Sequence, residues 1–397
     1  MKKILCILTA MALLLTLVGC TYRVPQPMPY PDYTFDSEPD PTQLREMAVQ
    51  AMRDILSIQW STEKEIRYRK NGPVNKKEFL HEPGKTYAGL LYSSANSGLV
   101  QFFEYYNANT GCLEYPGTAD ELKLEIGTSC ADALLWAWST VCTSINGGFY
   151  PVMMVPSNGY RIVGDYTYRQ NILSYNEMPS YAIITNNGDD VILDAYTKTL
   201  PADALVSTTD NHAMMVIKEP TVVYTASGAI DTENSFLVVQ EQRAGGSTFY
   251  EIEKDGHTYY YSGYTEEAYT FKTLLEKNYI PVTTAEFLGE KDYEKASVSI
   301  SNANCTTVDD FKKLEIESNY PLAVVKVLCV DAKGKETLVG RTMFNGSSAH
   351  GVPRKYSLSN MESLENYLAK NDLTGCTLRL EVAVSTAERF IPVEIKP

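Results

Sequence analysis

The chain has 397 residues, with 35 Lys and Arg against 49 Asp and Glu, a formal net charge of −14. That balance does not suit a nucleic-acid binder, which needs basic patches to neutralise phosphates; it is compatible with a solvated exported enzyme. Beyond the N-terminal segment, no run approaches the roughly 18 apolar residues needed to span a bilayer.

Residues 1–20 read as an export signal. Lys2 and Lys3 form the charged start, Ile4 to Val18 a short apolar core, and Leu17-Val18-Gly19-Cys20 resembles a bacterial lipobox. That resemblance implies cleavage before Cys20, diacylation of its thiol and a lipid-anchored protein outside the cell membrane. A proline-rich stretch follows over 21–40 (Pro25, Pro27, Pro29, Pro31, Pro39) and predicts an extended tether. A helix is expected from Pro41 to Ile58, because Leu44, Met47, Ala48, Ala51, Met52, Ile55 and Leu56 form a helical stripe.

The middle of the chain, 41–292, mixes helical patterns at 99–107, 129–143 and 268–277 with predicted strands at 181–185, 190–193, 213–217, 221–225, 235–241 and 248–253. Asn187-Gly188, Ser227-Gly228 and Asp255-Gly256 supply turn signals between them. Helices first and antiparallel strands later point to an α+β domain. From 293 to 397 the texture changes to short alternating strands near 296–301, 321–330, 336–342, 376–385 and 389–395, with one helical pattern from Ser359 to Lys370. That spacing predicts a C-terminal, Ig-like β-sandwich.

Chemistry concentrates at Gly127-Thr-Ser-Cys130-Ala-Asp-Ala-Leu-Leu-Trp136-Ala-Trp138. Ser129 and Asp132 have the spacing of a capping box, which starts a helix at Cys130. Unpaired backbone N–H groups and the helix dipole there favour an anion, so the thiol loses its proton more easily. The N–H groups of Cys130 and Ala131 would also hold an oxyanion. Of the four histidines, His257 falls at a hairpin turn, His350 in a loop of the C-terminal domain, and His81 before the Pro83-Gly84 turn. His212 opens the apolar strand His212-Ala-Met-Met-Val-Ile217, and a strand end can aim its ring at a thiol on a neighbouring helix. The strand from Ser235 ends in Gln240-Glu241-Gln242, any of which could orient the imidazole, and alternation alone does not choose among them.

In this order the parts resemble the NlpC-type and CHAP-type papain-like peptidases that cut bacterial cell-wall peptides. Four segments over residues 84–285 carry the likeness: Tyr87-Ala-Gly-Leu-Leu-Tyr92; Ser129-Cys130-Ala-Asp-Ala with Trp136 and Trp138; Leu200-Pro201-Ala-Asp203 shortly before His212-Ala-Met-Met-Val216; and Val239-Gln-Glu241-Gln242. The resemblance implies a papain-like domain, with a helix-borne cysteine packed on an antiparallel sheet. It implies Cys130 as nucleophile, His212 as base and Glu241 as orienting residue, with Gln242 the alternative third member. It also implies Tyr87 and Tyr92 along the substrate groove, peptidoglycan peptides as substrate, and no cofactor. Ser129 stands where the family carries Asp, and Ala202 where it carries Gly; the second change matters if that turn needs a positive φ angle.

Other readings compete. A transglutaminase-like enzyme would take its acid downstream of the histidine, from Asp231. A permuted acyltransferase would place His before Cys, opposite to the order here. A catalytically inactive lipoprotein that grips cell wall is the non-enzymatic alternative. The six cysteines outside the signal show no CxxC or Cys/His spacing, so no metal site is expected. An exported setting permits disulfides, with Cys112–Cys142 and one pair among Cys305, Cys329 and Cys376 conceivable.

Overall fold

The computed structural model describes residues 33–69, 77–145, 154, 159–168, 179–242, 249–262, 266–346, 351–371 and 373–396. The export signal, Cys20, most of the tether and His350 lie outside them. The protein is mixed α+β with mainly antiparallel sheets. The first helix, Pro41–Ser57, begins at a reciprocal cap: Asp40 accepts from the Gln43 N–H and the Gln43 side chain accepts from the Asp40 N–H, both at 2.9 Å. Its apolar stripe is buried except for the half-buried Met47, and the helix packs against the one that carries Cys130.

At the centre stands a six-stranded sheet in the order Glu267–Thr270, Phe236–Gln240, His212–Val216, Ala204–Ser207, Ile280–Thr283, Arg161–Ile162. Strand alternation feeds two different cores. Ala213, Met215 and Ile217 join the cluster that contains the helices Pro41–Ser57 and Cys130–Trp138. Met214 and Val216 join a second cluster with Ile183, Ile192, Tyr196, Phe271 and Leu274 on the opposite face. Helices on both faces make this sheet a continuously apolar middle layer, which is why its strands read as solid apolar runs.

Three predicted strands are corrected. Residues 181–185 and 190–193 lie in the helices Pro179–Asn187 and Asp189–Thr197. Ile192, Leu193 and Tyr196 are buried at helical spacing, and Gly188 joins the two helices at a φ of 86° rather than turning a hairpin. Residues 221–225 form only the isolated bridges Thr221–Phe236 and Tyr224–Ile230. The pattern at 99–107 is a helix over Leu99–Phe102 alone, since Tyr106–Asn107 pairs with Cys112–Leu113. The pattern at 129–143 ends at Trp138, and that at 268–277 divides into a strand and the helix Phe271–Glu276, capped by Thr270. A four-stranded sheet was not foreseen as such: Phe249–Lys254, His257–Ser262, Glu78–His81 and Ile66–Arg69, with its central pair parallel.

The C-terminal region has a four-stranded sheet (Glu336–Met343, Leu322–Val330, Thr377–Val384, Arg389–Ile395) and a three-stranded one (Val298–Ile300, Glu315–Ser318, Lys355–Ser357). Residues of both sheets meet in one apolar core with the helix Glu362–Leu368. This region does not stand apart. Ala323, Val324, Ala383 and Ala387 pack into the N-terminal core. Glu104, 5 % exposed, faces Lys326, Arg341 and Arg389 from the other side of the boundary. Tyr320 and Ser385 donate to the carbonyls of Val141 and Ser139, just beyond the end of the cysteine helix.

Candidate active site

The turn before Cys130 is held by a neighbouring loop. Ser93 N–H donates to Thr128 O (3.1 Å), Thr128 N–H to Leu91 O (2.9 Å), and Gly127 N–H to Ser97 Oγ (2.8 Å). Gly127 has a φ of 114°, and a Cβ there would lie 2.5 Å from Leu91 O and from Ser93 Oγ, so only glycine fits. Ser129 is extended, and both its N–H and its hydroxyl donate to Asp132 Oδ2. The helix then runs Cys130–Trp138, so Cys130 and Ala131 sit in the first turn, where N–H groups have no intrahelical acceptor.

Opposite the thiol, the four-residue turn 208–211 puts Asn211 at a φ of 48°, a conformation asparagine tolerates, and starts the strand at His212. The Cys130 Sγ is 4.0 Å from Asn211 O. The His212 ring and the Ala213 N–H lie close enough to favour its thiolate form. His212 Nε2 is hydrogen-bonded to Glu241 Oε2, which leaves Nδ1 for the thiol. Tyr269 donates to the other carboxylate oxygen, Oε1, at 3.2 Å. The exposures of Cys130, His212 and Glu241 are 8 %, 4 % and 1 %.

The ladder decides between Glu241 and Gln242. Gln240 pairs with Met215, so the next residue, Glu241, falls beside Met214 and on the side of His212. Gln242 falls on the other side, where its Nε2 donates to Leu90 O at 3.0 Å. Asp231 is in a turn, accepting from the Glu233 and Asn234 N–H groups, and is not part of the cluster.

Charge pairing sets the titration of the site. Burial pushes the Cys130 thiol up, but the His212 imidazolium beside it outweighs burial, and the net shift is downward. Burial pulls His212 down, yet the Cys130 thiolate and the Glu241 carboxylate carry it above its ordinary value. Both shifts favour a thiolate–imidazolium pair braced by a carboxylate, an arrangement suited to nucleophilic attack and to protonating a leaving group.

Other predicted positions fall out differently. Tyr87 is buried against Trp60 (5.2 Å) and His81 (4.6 Å), a core tyrosine rather than an open groove wall. Tyr92 is half-buried, bridges Thr128 and packs on Phe79. His81 is fully buried and its pKa is lowered to about 3 by that burial, so it remains a neutral core residue. His257 is exposed at its hairpin. Ala202 does adopt a positive φ, 74°, in its turn, a conformation that favours glycine. Asp203, from the same motif, is structural: it forms a buried ion pair with Arg45 (2.7 Å) and accepts from Leu200 N–H. Cys112, Cys142, Cys305, Cys329 and Cys376 stand as free thiols in the structure, with Cys329 beside Cys376, one of the conceivable pairs. Sequence reading missed Tyr269, one of 28 tyrosines, because only the pairing of its strand with Phe236–Gln240 brings it to Glu241. It also missed the nearby Tyr279, whose hydroxyl donates to Asp210 Oδ2 at 2.9 Å and whose ring meets His212 edge-on.

Among the described residues, no group of three His, Cys, Asp or Glu is arranged to hold a metal, and no helix is long and apolar enough to cross a membrane. No protein-family model, curated protein or solved structure matches the chain.

Proposed function

We propose that this chain is a lipid-anchored, extracytoplasmic cysteine peptidase or amidase of papain-like type that hydrolyses amide bonds in peptidoglycan stem peptides. The observation that carries the reading is the buried line from Cys130 through His212 to Glu241 at the start of a helix. In the reaction, the Cys130 thiolate attacks the scissile carbonyl carbon. The N–H groups of Cys130 and Ala131 hold the resulting oxyanion. As the intermediate collapses, the C–N bond breaks and His212 gives its proton to the departing amine, leaving a thioester. His212 then takes a proton from water, whose oxygen displaces the thiolate and releases the acid. Glu241 holds the His212 ring throughout and Tyr269 holds Glu241. The C-terminal sheets serve as a β-sandwich fixed against the peptidase core.

The test is digestion of purified cell wall and of synthetic stem peptides, with new amines identified by mass spectrometry. The full chain should release amines, while Cys130→Ser and His212→Ala should lose at least about a thousandfold in rate with an unchanged circular dichroism spectrum. Activity of Cys130→Ser at the wild-type rate would refute the assignment. Binding to wall without any new amine would favour the inactive wall-binding lipoprotein. Membrane fractionation tests the anchor: Cys20→Ala should leave the membrane or accumulate unprocessed, and equal retention speaks against lipidation.

A further inference from the structure

Both ends of the helix Cys130–Trp138 are tied to the C-terminal sheets. Beyond its far end, the Ser385 hydroxyl donates to Ser139 O. At the end that bears the thiol, the tie runs through the short segment Asn96-Ser97-Gly98. Asn96 stands at a φ of 55°, a left-handed conformation in which asparagine is enriched. Its carbonyl accepts from the Gly346 N–H at 2.8 Å and from Nε1 of Trp136, on the cysteine helix, at 3.0 Å. Its side-chain Nδ2 donates back to the Gly346 carbonyl at 3.0 Å. Ser97, fully buried, grips the turn before Cys130: its N–H (3.0 Å) and hydroxyl (3.3 Å) meet Gly127 O, and its Oγ accepts from the Gly127 N–H (2.8 Å). Gly98 lies against Trp136, where a Cβ would come within 2.8 Å of the indole. Gln101, also fully buried, accepts from the Gly98 N–H (3.0 Å) and donates to the Phe344 carbonyl (2.7 Å). Phe344 and Gly346 follow the strand Glu336–Met343, and the Phe344 N–H is held by Ala323 O at 2.9 Å.

We infer that the C-terminal sheets position the nucleophile, with Asn96 the positioning residue that couples Gly346 to the turn and helix carrying Cys130. Two routes lead from Asn96 to that helix, one through Trp136 and one through Ser97 and Gly127. His212 is held separately, by the central sheet. A shift of the strand end at Gly346 therefore moves the thiol relative to the imidazole. Ser97 and Gln101 are shut off from water, so solvent does not replace a bond lost there. Placement matters at this scale, because a misplacement of about 1 Å costs a reaction on the order of a hundredfold. The cations on Glu104 hold the same boundary without touching the helix or its turn. The C-terminal sheets are thus part of the catalytic scaffold rather than a module on a linker. The inference rests on Cys130 as the nucleophile, but thiol reactivity reads it without hydrolysis.

Variants of the full chain test it, each scored by the pH midpoint of iodoacetamide alkylation at Cys130, read by peptide mass spectrometry, and by kcat on stem peptides. Asn96→Gly keeps the left-handed bend and both bonds of the carbonyl, and removes the bond from Nδ2 to Gly346 O. It should raise the midpoint by about half a unit and lower kcat about tenfold. Arg389→Gln loosens the same boundary at Glu104, away from the helix, and should move neither. Because Asn96 acts in part through Ser97, the shift caused by Asn96→Gly should shrink in a Ser97→Ala background. An unmoved midpoint and kcat in Asn96→Gly would overturn the inference. So would an equal shift in Arg389→Gln, or full additivity with Ser97→Ala. Should the unaltered chain cut no stem peptide, the proposed hydrolysis fails, and the alkylation midpoints still decide whether Asn96 positions the thiol.

Discussion

Replacing Glu241 by glutamine keeps the shape of the side chain and removes the charge that faces His212. The hydrogen bond between them is buried at both ends, with side-chain exposures of 5 % and 2 %. A hydrogen bond to a charged group contributes roughly 1.5–3 kcal/mol, and one pKa unit corresponds to about 1.4 kcal/mol. The imidazolium that stabilises the Cys130 thiolate should lose about that much, so the thiol pKa should rise by about one to two units. The pH profile of iodoacetamide alkylation at Cys130 should then move up by about one to two units, and hydrolysis should fall with it. Gln242→Ala is the control. It removes the bond to Leu90 O, which should cost stability of about 1 kcal/mol without moving the alkylation profile. Alkylation rate against pH for the two variants decides the matter. If Gln242→Ala shifts the profile and Glu241→Gln does not, the assignment of the third residue is wrong.

Two further outcomes follow from the same geometry. Gly127→Ala should destabilise the protein by about 2–4 kcal/mol, since it combines a left-handed φ with a methyl pressed on backbone, and denaturant melts that leave the midpoint unmoved would refute the tight turn. Hydrolysis should follow a bell-shaped pH profile. Its acid limb should lie below the ordinary thiol range, because His212 lowers Cys130. Its basic limb should lie above the ordinary histidine range, because the thiolate and Glu241 raise His212 against burial; activity is lost there as the acid for the leaving amine deprotonates. A single limb near the free-thiol value would show that no ion pair forms.

Local chemistry was legible in the chain itself. The helix from Pro41, the capped start at Cys130, the strand opened by His212 and the later strands 322–330, 377–384 and 389–395 all announce themselves through periodicity and caps, because these depend on neighbours within a turn or a strand. The helices at 179–187 and 189–197 did not, since short apolar pairs such as Ile183 and Ile184 fit either period, and packing against the central sheet settles the matter.

Which polar residue meets His212 was a question of another kind. Alternation separates Glu241 from Gln242 but does not say which side faces the histidine. That depends on the register Gln240–Met215, a contact between strands some 25 residues apart in the chain. The same holds for Tyr269 behind Glu241, for the cation cluster on Glu104 that seats the C-terminal sheets, and for Tyr87, which shares its motif with Tyr92 but is buried against Trp60. Sequence alone determined which side chains can do chemistry and on what kind of element each sits. Register and packing decided which of them meet, because hydrogen bonding and desolvation act over a few ångströms of space, wherever the groups stand along the chain.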